Sequence, residues 1–415
     1  MKLSEELQNR GFIYQYSNDD LSKILDGSKR TVYLGIDPTA SSIHVGNLVP
    51  YMLLNRLMQA GHKVILLIGG GTALIGDPGG KNEERPFMEI DTIKQQAKAM
   101  EDGIRKFVIG GDVIFVNNYD WLSKLSMIDY LRNVGKHFTV NSMIKRDIIA
   151  NRLTDDNSIS YTEFSYSLLQ GYDYYHLHKE YGCDLQIGGS DQWSNIISGV
   201  EYIRKVTGDE VFALTIPLIV DKTTGKKFGK SEGNAIWLDA DKTSPYQFYQ
   251  FWLNTPDESV IDYLKLFTFL SLEEIQIIKK DFEKNPGDRL AQKKLAYEVT
   301  KFVHGVDTTE QVAEVSSTLF SDDSIKNISE TGKKILLENA PSIKVKNNSQ
   351  LVDVLVSSHL ASSKREARTF IESGAVTLNG KKIESIDTTI SENEFFSNVA
   401  ILRRGKKQYC VLILK

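Results

Sequence analysis

The stretch Tyr33 to Asn47, YLGIDPTASSIHVGN, constrains the fold of this chain more than any other. Its left part, from Thr31 to Ile36, reads as a short buried strand ending at Asp37-Pro38. Its right part opens a helix predicted to run to about Ala60, with Ser41 or Ser42 as N-cap and Leu48, Met52, Leu53 and Leu57 at helical spacing. His44 and Gly46 fall in the first turn. A helix start holds free backbone N–H groups and the positive end of the dipole, so it suits phosphate. Gly46 has no Cβ, so a flat ring could lie against the backbone, and His44 could donate to a phosphate oxygen. Many strand-to-helix turns carry Gly, and a lone His is usually structural. The turn alone is a candidate nucleotide site and no more.

Far downstream lies Lys227-Phe228-Gly229-Lys230-Ser231, inside DKTTGKKFGKSEGN. Two lysines three apart on a Gly-flanked loop make a cationic arm that could close over a polyphosphate and stabilise charge growing on pyrophosphate. Taken singly, such a loop reads as solvated surface. The pair HxGN and KFGKS resembles the HIGH and KMSKS signatures of class I aminoacyl-tRNA synthetases. The segments YLGIDPTA, LIGDPGGK, NNYDW, VGKHF, EFSYSLLQGYDY, LQIGGSDQW and KFGKSEGNAIWL run through nearly the whole chain in order. They resemble the bacterial tyrosyl branch of that family.

At 415 residues the chain is too long for one core, so two or three domains are expected. A net charge of −4 confines any nucleic-acid role to a local surface. Cys183 and Cys410 have no paired spacing, which argues against a disulfide scaffold and a structural zinc site. The start, MKLSEELQNRGF, is a polar helical pattern without a signal-peptide core, and the apolar run Val64 to Ile68 is too short to span a bilayer. A cytoplasmic protein is expected.

Lys63 to Ile68, KVILLI, reads as an apolar strand of a sheet covered on both faces, and it runs into the Gly-rich GGGTALIGDPGGK with Asp77. Asp-Pro-Gly-Gly is also plain turn chemistry. Lys81 and Arg85 read either as pyrophosphate or tRNA contacts or as solvated surface. Ile90 to Phe107 reads as a helix, Val113 to Val116 as a strand, and Trp121 to Ile149 as helical and rich in large apolar residues. On the helix expected over Tyr161 to Glu180, Tyr166, Gln170 and Asp173 share one face. That face is either a solvent stripe or a site for an amino acid carrying a hydroxyl. His176 and His178 are two apart on a helix, point to different faces, and are read as structural. Asp184 to Ile187 reads as a strand before GGSDQWSN, and Gly188 and Gly189 lie where α/β sheets place ligands. A helix to Lys205 and a last strand, Ala213 to Val220, follow.

Beyond Thr243-Ser244-Pro245, a helix start with Ser244 as N-cap and Pro245 at N1, the pattern stays helical to about Phe320. Residues 321–348 are polar and irregular, with a short helix near Gly332 to Leu337. From 349 to 415 the chain carries ten Lys or Arg against seven Asp or Glu. There Ser362-Ser363 caps the short helix KREARTFIES, Gly374 closes it, and AVTLNGKKI alternates around Asn379-Gly380, a type I′ hairpin signal. This tail resembles an S4 RNA-binding module, with Lys364, Arg365 and Arg368 as RNA contacts.

The resemblance implies an α/β fold: a Rossmann-like parallel-sheet catalytic domain, then an α-helical domain and a small S4-like α+β RNA-binding domain. The expected boundaries are 1–220, with inserted dimerisation helices at about 118–160, then 221–325 for the KFGKS loop and anticodon-facing helices, a linker at 326–348, and 349–415. It implies a tyrosine–tRNA ligase working with ATP and Mg²⁺, without a tightly bound cofactor or resident metal, on L-tyrosine and tRNA(Tyr), as a homodimer away from membranes. Tyrosine would be bound by Tyr33, Asp77, Tyr166, Gln170, Asp173 and Gln192, with Gln186 nearby. ATP would be bound by Asp37, Thr39, His44, Gly46, Asn47, Gly189, Asp191 and Lys230. The catalytic set would be His44, Asn47, Lys227, Lys230 and Ser231. One departure stands out, since the family signature ends in His where this chain has Asn47, an amide that can donate but carries no charge. Three rivals remain open: a tryptophanyl-type synthetase, which would have little use for Asp173; a small-molecule nucleotidyltransferase, which would not need the tail; and a noncatalytic RNA-binding protein.

Overall fold

The computed structural model describes residues 1–40, 42–77, 88–108, 111, 113–146, 149–150, 153, 159–219, 228, 230–231, 234–320, 324–405 and 408–415. They form two compact units, 1–242 with 255–295, and 243–254 with 296–415.

The first unit is built on a six-stranded sheet of β1 (Gln15–Tyr16), β2 (Thr31–Ile36), β3 (Lys63–Ile68), β4 (Val113–Asn117), β5 (Leu185–Gly189) and β6 (Phe212–Ile216). The spatial order is β1-β6-β5-β2-β3-β4, and every pairing is parallel except β1 with β6. In β3 only Lys63 is exposed, as a strand with both faces covered demands. Tyr33 lies beside Gln186 in the register of β2 with β5.

The covering helices include α1 (Leu3–Arg10), α2 (Leu48–Gln59), α3 (Ile90–Arg105), α4 (Tyr161–Tyr181) and α5 (Trp193–Thr207). In α3 the buried residues Ile93, Ala97, Met100 and Ile104 recur every three or four positions. The Ser160 hydroxyl accepts from the Glu163 N–H to start α4, and Gly182 at φ +65° ends it. Its inner face closes a cluster with Tyr33, Ile65, Leu67, Tyr174, Leu177, Cys183 and Ile203.

Several expectations need correction. The helix after β2 is not capped from Ser42; a 3₁₀ turn at Val45–Asn47 precedes α2, and the His44 side chain caps it by accepting the Gly46 N–H. Ser41 lies outside the described residues. The run expected to be helical over Trp121 to Ile149 is helical in pieces and not as one helix: Tyr119–Leu122, then Met127–Asp129, Tyr130–Val134 and Gly135–His137 in unbroken succession, then Val140–Ile144. Backbone carbonyls of these segments are tied to α5, Tyr202 Oη donating to Asn133 O at 3.0 Å and Lys205 Nζ to His137 O at 3.0 Å. The strand expected to Val220 stops at Ile216, and the two-residue strands β7 (Lys230–Ser231) and β8 (Asn234–Ala235) follow.

The helices expected as one domain divide between the two units. Val260–Phe267 and Leu272–Lys284 belong with the sheet, because Arg10 donates to Leu270 O at 2.7 Å and Arg56 to Thr268 O at 2.6 Å. Pro245–Leu253 belongs with the tail, through Ser244 Oγ to Asn339 Oδ1 at 2.6 Å and Tyr246 Oη facing Tyr409 Oη at 3.5 Å.

In the second unit the stretch expected as a linker holds the helix Glu330–Asn339 and β9 (Ser342–Val345). With β10 (Ser349–Gln350), β11 (Val376–Leu378), β12 (Lys381–Lys382), β13 (Thr389–Ile390), β14 (Val399–Arg404) and β15 (Gln408–Leu414), it builds the tail. The main tail sheet runs β12-β11-β14-β15-β9, with β9 parallel to β15. Ser363 caps the helix Lys364–Glu372. Asn379 and Gly380 both take positive φ between β11 and β12, as a type I′ turn requires.

Candidate active site

The carboxyl ends of β2 and β5 open onto a cavity of about 240 Å³. Its lining includes Tyr33, Asp37, Thr39, Asn47, Asp77, Tyr166, Gln170, Asp173, Gln186, Asp191 and Gln192. A second space of about 160 Å³ shares Asn47, Asp191 and Gln192 with it and adds Gly46, Gly189 and Phe228.

One end of the larger cavity is polar and closed. Tyr33 and Asp173 are buried there, and the Tyr33 hydroxyl has no hydrogen-bond partner among the described residues. Burial, then the nearby Asp173, raises the Tyr33 pKa well above its usual value, so the group stays a phenol. Asp173 Oδ2 accepts from Asn118 Nδ2 at 2.9 Å and Oδ1 from Trp121 Nε1 at 2.7 Å. Burial pushes the Asp173 pKa up to about 7 against these two donors. A buried hydroxyl without a partner beside a carboxylate with lone pairs to spare is a socket for a group that both donates and accepts, such as a phenol.

The middle of the cavity is anionic. Tyr166 Oη donates to Asp37 Oδ2 at 2.8 Å and Thr72 Oγ1 to Asp37 Oδ1 at 2.8 Å. Gln192 Nε2 donates to Asp77 Oδ2 at 2.7 Å, and Asn195 Nδ2 lies 3.2 Å from Gln192 Oε1. Burial, followed by Asp37 and Asp77, raises the Tyr166 pKa well above normal. Two carboxylates with amide and hydroxyl partners suit an ammonium group.

At the turn, His44 Nδ1 accepts the Gly46 N–H at 3.0 Å, which puts the ring proton of the neutral imidazole on Nε2. A Cβ on Gly46 would stand 2.7 Å from Phe228 O and 2.8 Å from the His44 ring. Only glycine fits, and the crowding there is by Phe228 and His44. Lys230–Ser231 forms a two-residue ladder with Asn234–Ala235. Lys227 lies outside the described residues, as do Lys81 and Arg85. On the tail, Arg365 and Arg368 are exposed, while Lys364 Nζ pairs with Asp353 Oδ1 at 2.6 Å.

Sequence reasoning assigned no role to Asn118, Trp121, Thr72 or Asn195. The first two belong to NNYDW at the carboxyl end of β4, where α/β sheets place ligand-binding groups, and that position was the available signal. His178 bonds Cys183 O at 2.9 Å and Asp209 at 3.0 Å, and His176 stacks on Trp121 at 4.3 Å. Among the described residues no group of His, Cys, Asp or Glu could hold a metal ion.

A largely parallel sheet with a His-Gly turn after β2, and with an anionic cavity and a buried phenol beside a carboxylate at its strand ends, suits an amino-acid-activating enzyme of the class I type. The chain belongs to the family of class I tRNA synthetases (W and Y), which matches residues 26–321, while a tyrosine–tRNA ligase C-terminal domain matches 333–412. It is 45% identical over 420 residues to a Streptococcus mutans tyrosine–tRNA ligase, covering 99% of this chain and 100% of that one. It is 46% identical to tyrosine–tRNA ligase 1 of Bacillus subtilis, covering 100% and 99%. A C-terminally truncated mitochondrial tyrosyl-tRNA synthetase of Aspergillus nidulans superposes with a TM-score of 0.70 at 32% identity, over 77% of this chain and 94% of that one.

Proposed function

We infer that the chain joins tyrosine to tRNA, activating the amino acid with ATP first, and that the residues above divide the work. The observation that carries the reading of the pocket is the buried Tyr33 hydroxyl beside Asp173. Tyr33 donates to the substrate phenol and Asp173 accepts from it. Phenylalanine in the same place leaves two buried polar groups unsatisfied, at about 1–3 kcal/mol each. Asp77 and Asp37, with Tyr166, Gln170 and Gln192 around them, hold the substrate ammonium.

The tyrosine carboxylate is ionised at neutral pH, so the first step needs no general base. One of its oxygens bonds to the α-phosphorus of ATP, the bond from that phosphorus to the bridging oxygen breaks, and pyrophosphate leaves with the electron pair. Catalysis then consists of positioning and charge stabilisation. His44, through Nε2–H, and the Lys227 and Lys230 ammonium groups serve the phosphates. Asn47 donates a neutral hydrogen bond, and Ser231 assists the loop. Asp191 takes the ribose, Gly46 and Gly189 line the smaller space, where the adenosine sits, and Asp37 and Thr39, in the wall of the larger one, contact the ATP. Mg²⁺ arrives on ATP as part of the substrate. In the second step the terminal ribose hydroxyl of tRNA attacks the tyrosyl carbonyl and AMP departs.

Arg365 and Arg368, exposed on the tail helix, support RNA binding by residues 349–415. We read residues 1–220 as the catalytic core, with an assisting helical region before the tail. Exposed Met127, Ile128, Leu131, Val140 and Tyr161 supply an apolar face for a homodimer. Ile128→Glu is expected to halve the molecular mass measured by light scattering, and an unchanged mass would remove this face from the interface. No described helix is long and apolar enough to cross a membrane.

The test of the activation step is ATP–pyrophosphate exchange with tyrosine, phenylalanine and tryptophan supplied separately, without tRNA. Exchange with tyrosine alone is expected. Exchange with tryptophan would overturn the socket while keeping the chemistry, and none from folded protein would favour a noncatalytic RNA-binding role.

A further inference from the structure

The segment that follows the lysine loop is bonded to both signature motifs. Asn234–Ala235 pairs antiparallel with Lys230–Ser231. Immediately after, the chain crosses to the histidine turn: Val45 N donates to Ile236 O at 2.9 Å, Leu238 N donates to Ile43 O at 2.9 Å, and His44 and Trp237 form the bridge between them. Five consecutive residues, 234–238, thus belong to the lysine loop at one end and to the His44 turn at the other. The Trp237 side chain adds a contact of its own. Its indole meets the His44 imidazole edge to face, with centroids 6.1 Å apart at 78°, and the Lys242 ammonium lies 4.7 Å from the indole centroid.

The hydrogen bond from Gly46 N to His44 Nδ1 holds one edge of the imidazole. The Trp237 ring packs against it from the side. The loop end is packed against the same place, since Phe228 O crowds Gly46 and the Phe228 ring packs on Tyr263 at 4.9 Å and Phe267 at 5.5 Å. We propose that Trp237 is a positioning residue that aims His44 Nε2–H at the reacting phosphate. The proposal rests on the reading of His44 as a phosphate donor. Trp237 itself touches neither substrate nor phosphate in this scheme; it acts through the imidazole.

The experiment is a double-mutant cycle on the full-length protein, read as the single-turnover rate of adenylate formation and, separately, as the tyrosine dissociation constant. Trp237→Leu is expected to slow adenylate formation about 30-fold, somewhat less than loss of a direct donor, with tyrosine binding changed less than about twofold. Trp237→Phe, which keeps a ring edge, is expected to recover to within about fivefold of the native rate. In a His44→Ala background, Trp237→Leu should cost less than about a further twofold, because the group it aims is gone. A full additive penalty there, or a Trp237→Phe as slow as Trp237→Leu, overturns the proposal while leaving the active-site reading in place. Weakened tyrosine binding in Trp237→Leu in step with its rate marks a structural role and overturns it too. A His44→Ala variant with native rates removes the phosphate role itself, and with it both the reading and the proposal.

Discussion

Asp173 is held at its two oxygens by Asn118 and Trp121, and burial still brings its pKa to about 7. In the free protein near neutral pH the group is therefore part carboxylic acid and part carboxylate. A phenol that donates to it favours the carboxylate, so bound tyrosine lowers its pKa and binding releases a proton. The sign follows: tyrosine affinity is full above about pH 7 and falls as pH drops through that value, by at most about tenfold per unit. Tyrosine titrations between pH 6 and 8.5 measure this, and Asp173→Asn should flatten the curve while weakening binding throughout. A flat profile in the native protein would mean that Asp173 is already ionised when empty. At this scale Tyr166, Gln170 and Asp173 were legible in the sequence, because helical spacing alone puts them on one face. The two donors behind Asp173 were not, because their contact joins residues 55 and 52 positions apart and leaves no periodic trace.

The packing of α5 on α4 turns on Gly199. A Cβ there would come within 2.8 Å of Tyr174 Cδ1 and 2.9 Å of its Cβ. Tyr174 is fully buried, donates from its hydroxyl to Phe212 O at 2.8 Å and meets Tyr33 edge-on at 5.2 Å. It has nowhere to go except toward Tyr33. Gly199→Ala is thus expected to cost about 2 kcal/mol of stability through overpacking and to weaken tyrosine binding as Tyr33 shifts. Denaturant melts and tyrosine titrations on the variant check both parts, and native stability would mean the two helices can part at no cost. The elements most legible from sequence were those whose signals are local, such as β3 and α3, where the burial period is plain, and α4, which Ser160 and Gly182 cap at its two ends. Between Tyr119 and Ile144 the helical pattern was legible but its breaks were not. Short helical segments depend for their form on bonds to other elements, here Tyr202 and Lys205 on α5, and apolar content does not report such bonds.

The whole chain raises the question of where its tail begins. The polar, irregular pattern puts a linker at 326–348, where Lys and Asn make up nine of the 23 residues. The structure instead makes Ser342–Val345 the outer strand of the tail sheet, parallel to β15 at the far end of the chain, where Val411 pairs with Ser342 and Leu414 with Val345. A parallel pairing across that distance is invisible to any local pattern. Two truncations separate these views. A chain ending at residue 348 keeps β9 but loses its partner, leaving an unpaired edge with Ile343 and Val345 uncovered, and is expected to aggregate. A chain ending at residue 340 removes the strand with its sheet and is expected to stay soluble. It should keep tyrosine-dependent pyrophosphate exchange within about twofold, since the described residues lining the cavity fall between Tyr33 and Ile196, and lose about 100-fold in tRNA charging with the cationic helix gone. Equal behaviour of the two truncations in sedimentation would mean that β9 gains nothing from β15. Loss of pyrophosphate exchange in the shorter chain would mean that the tail also supports the activation step.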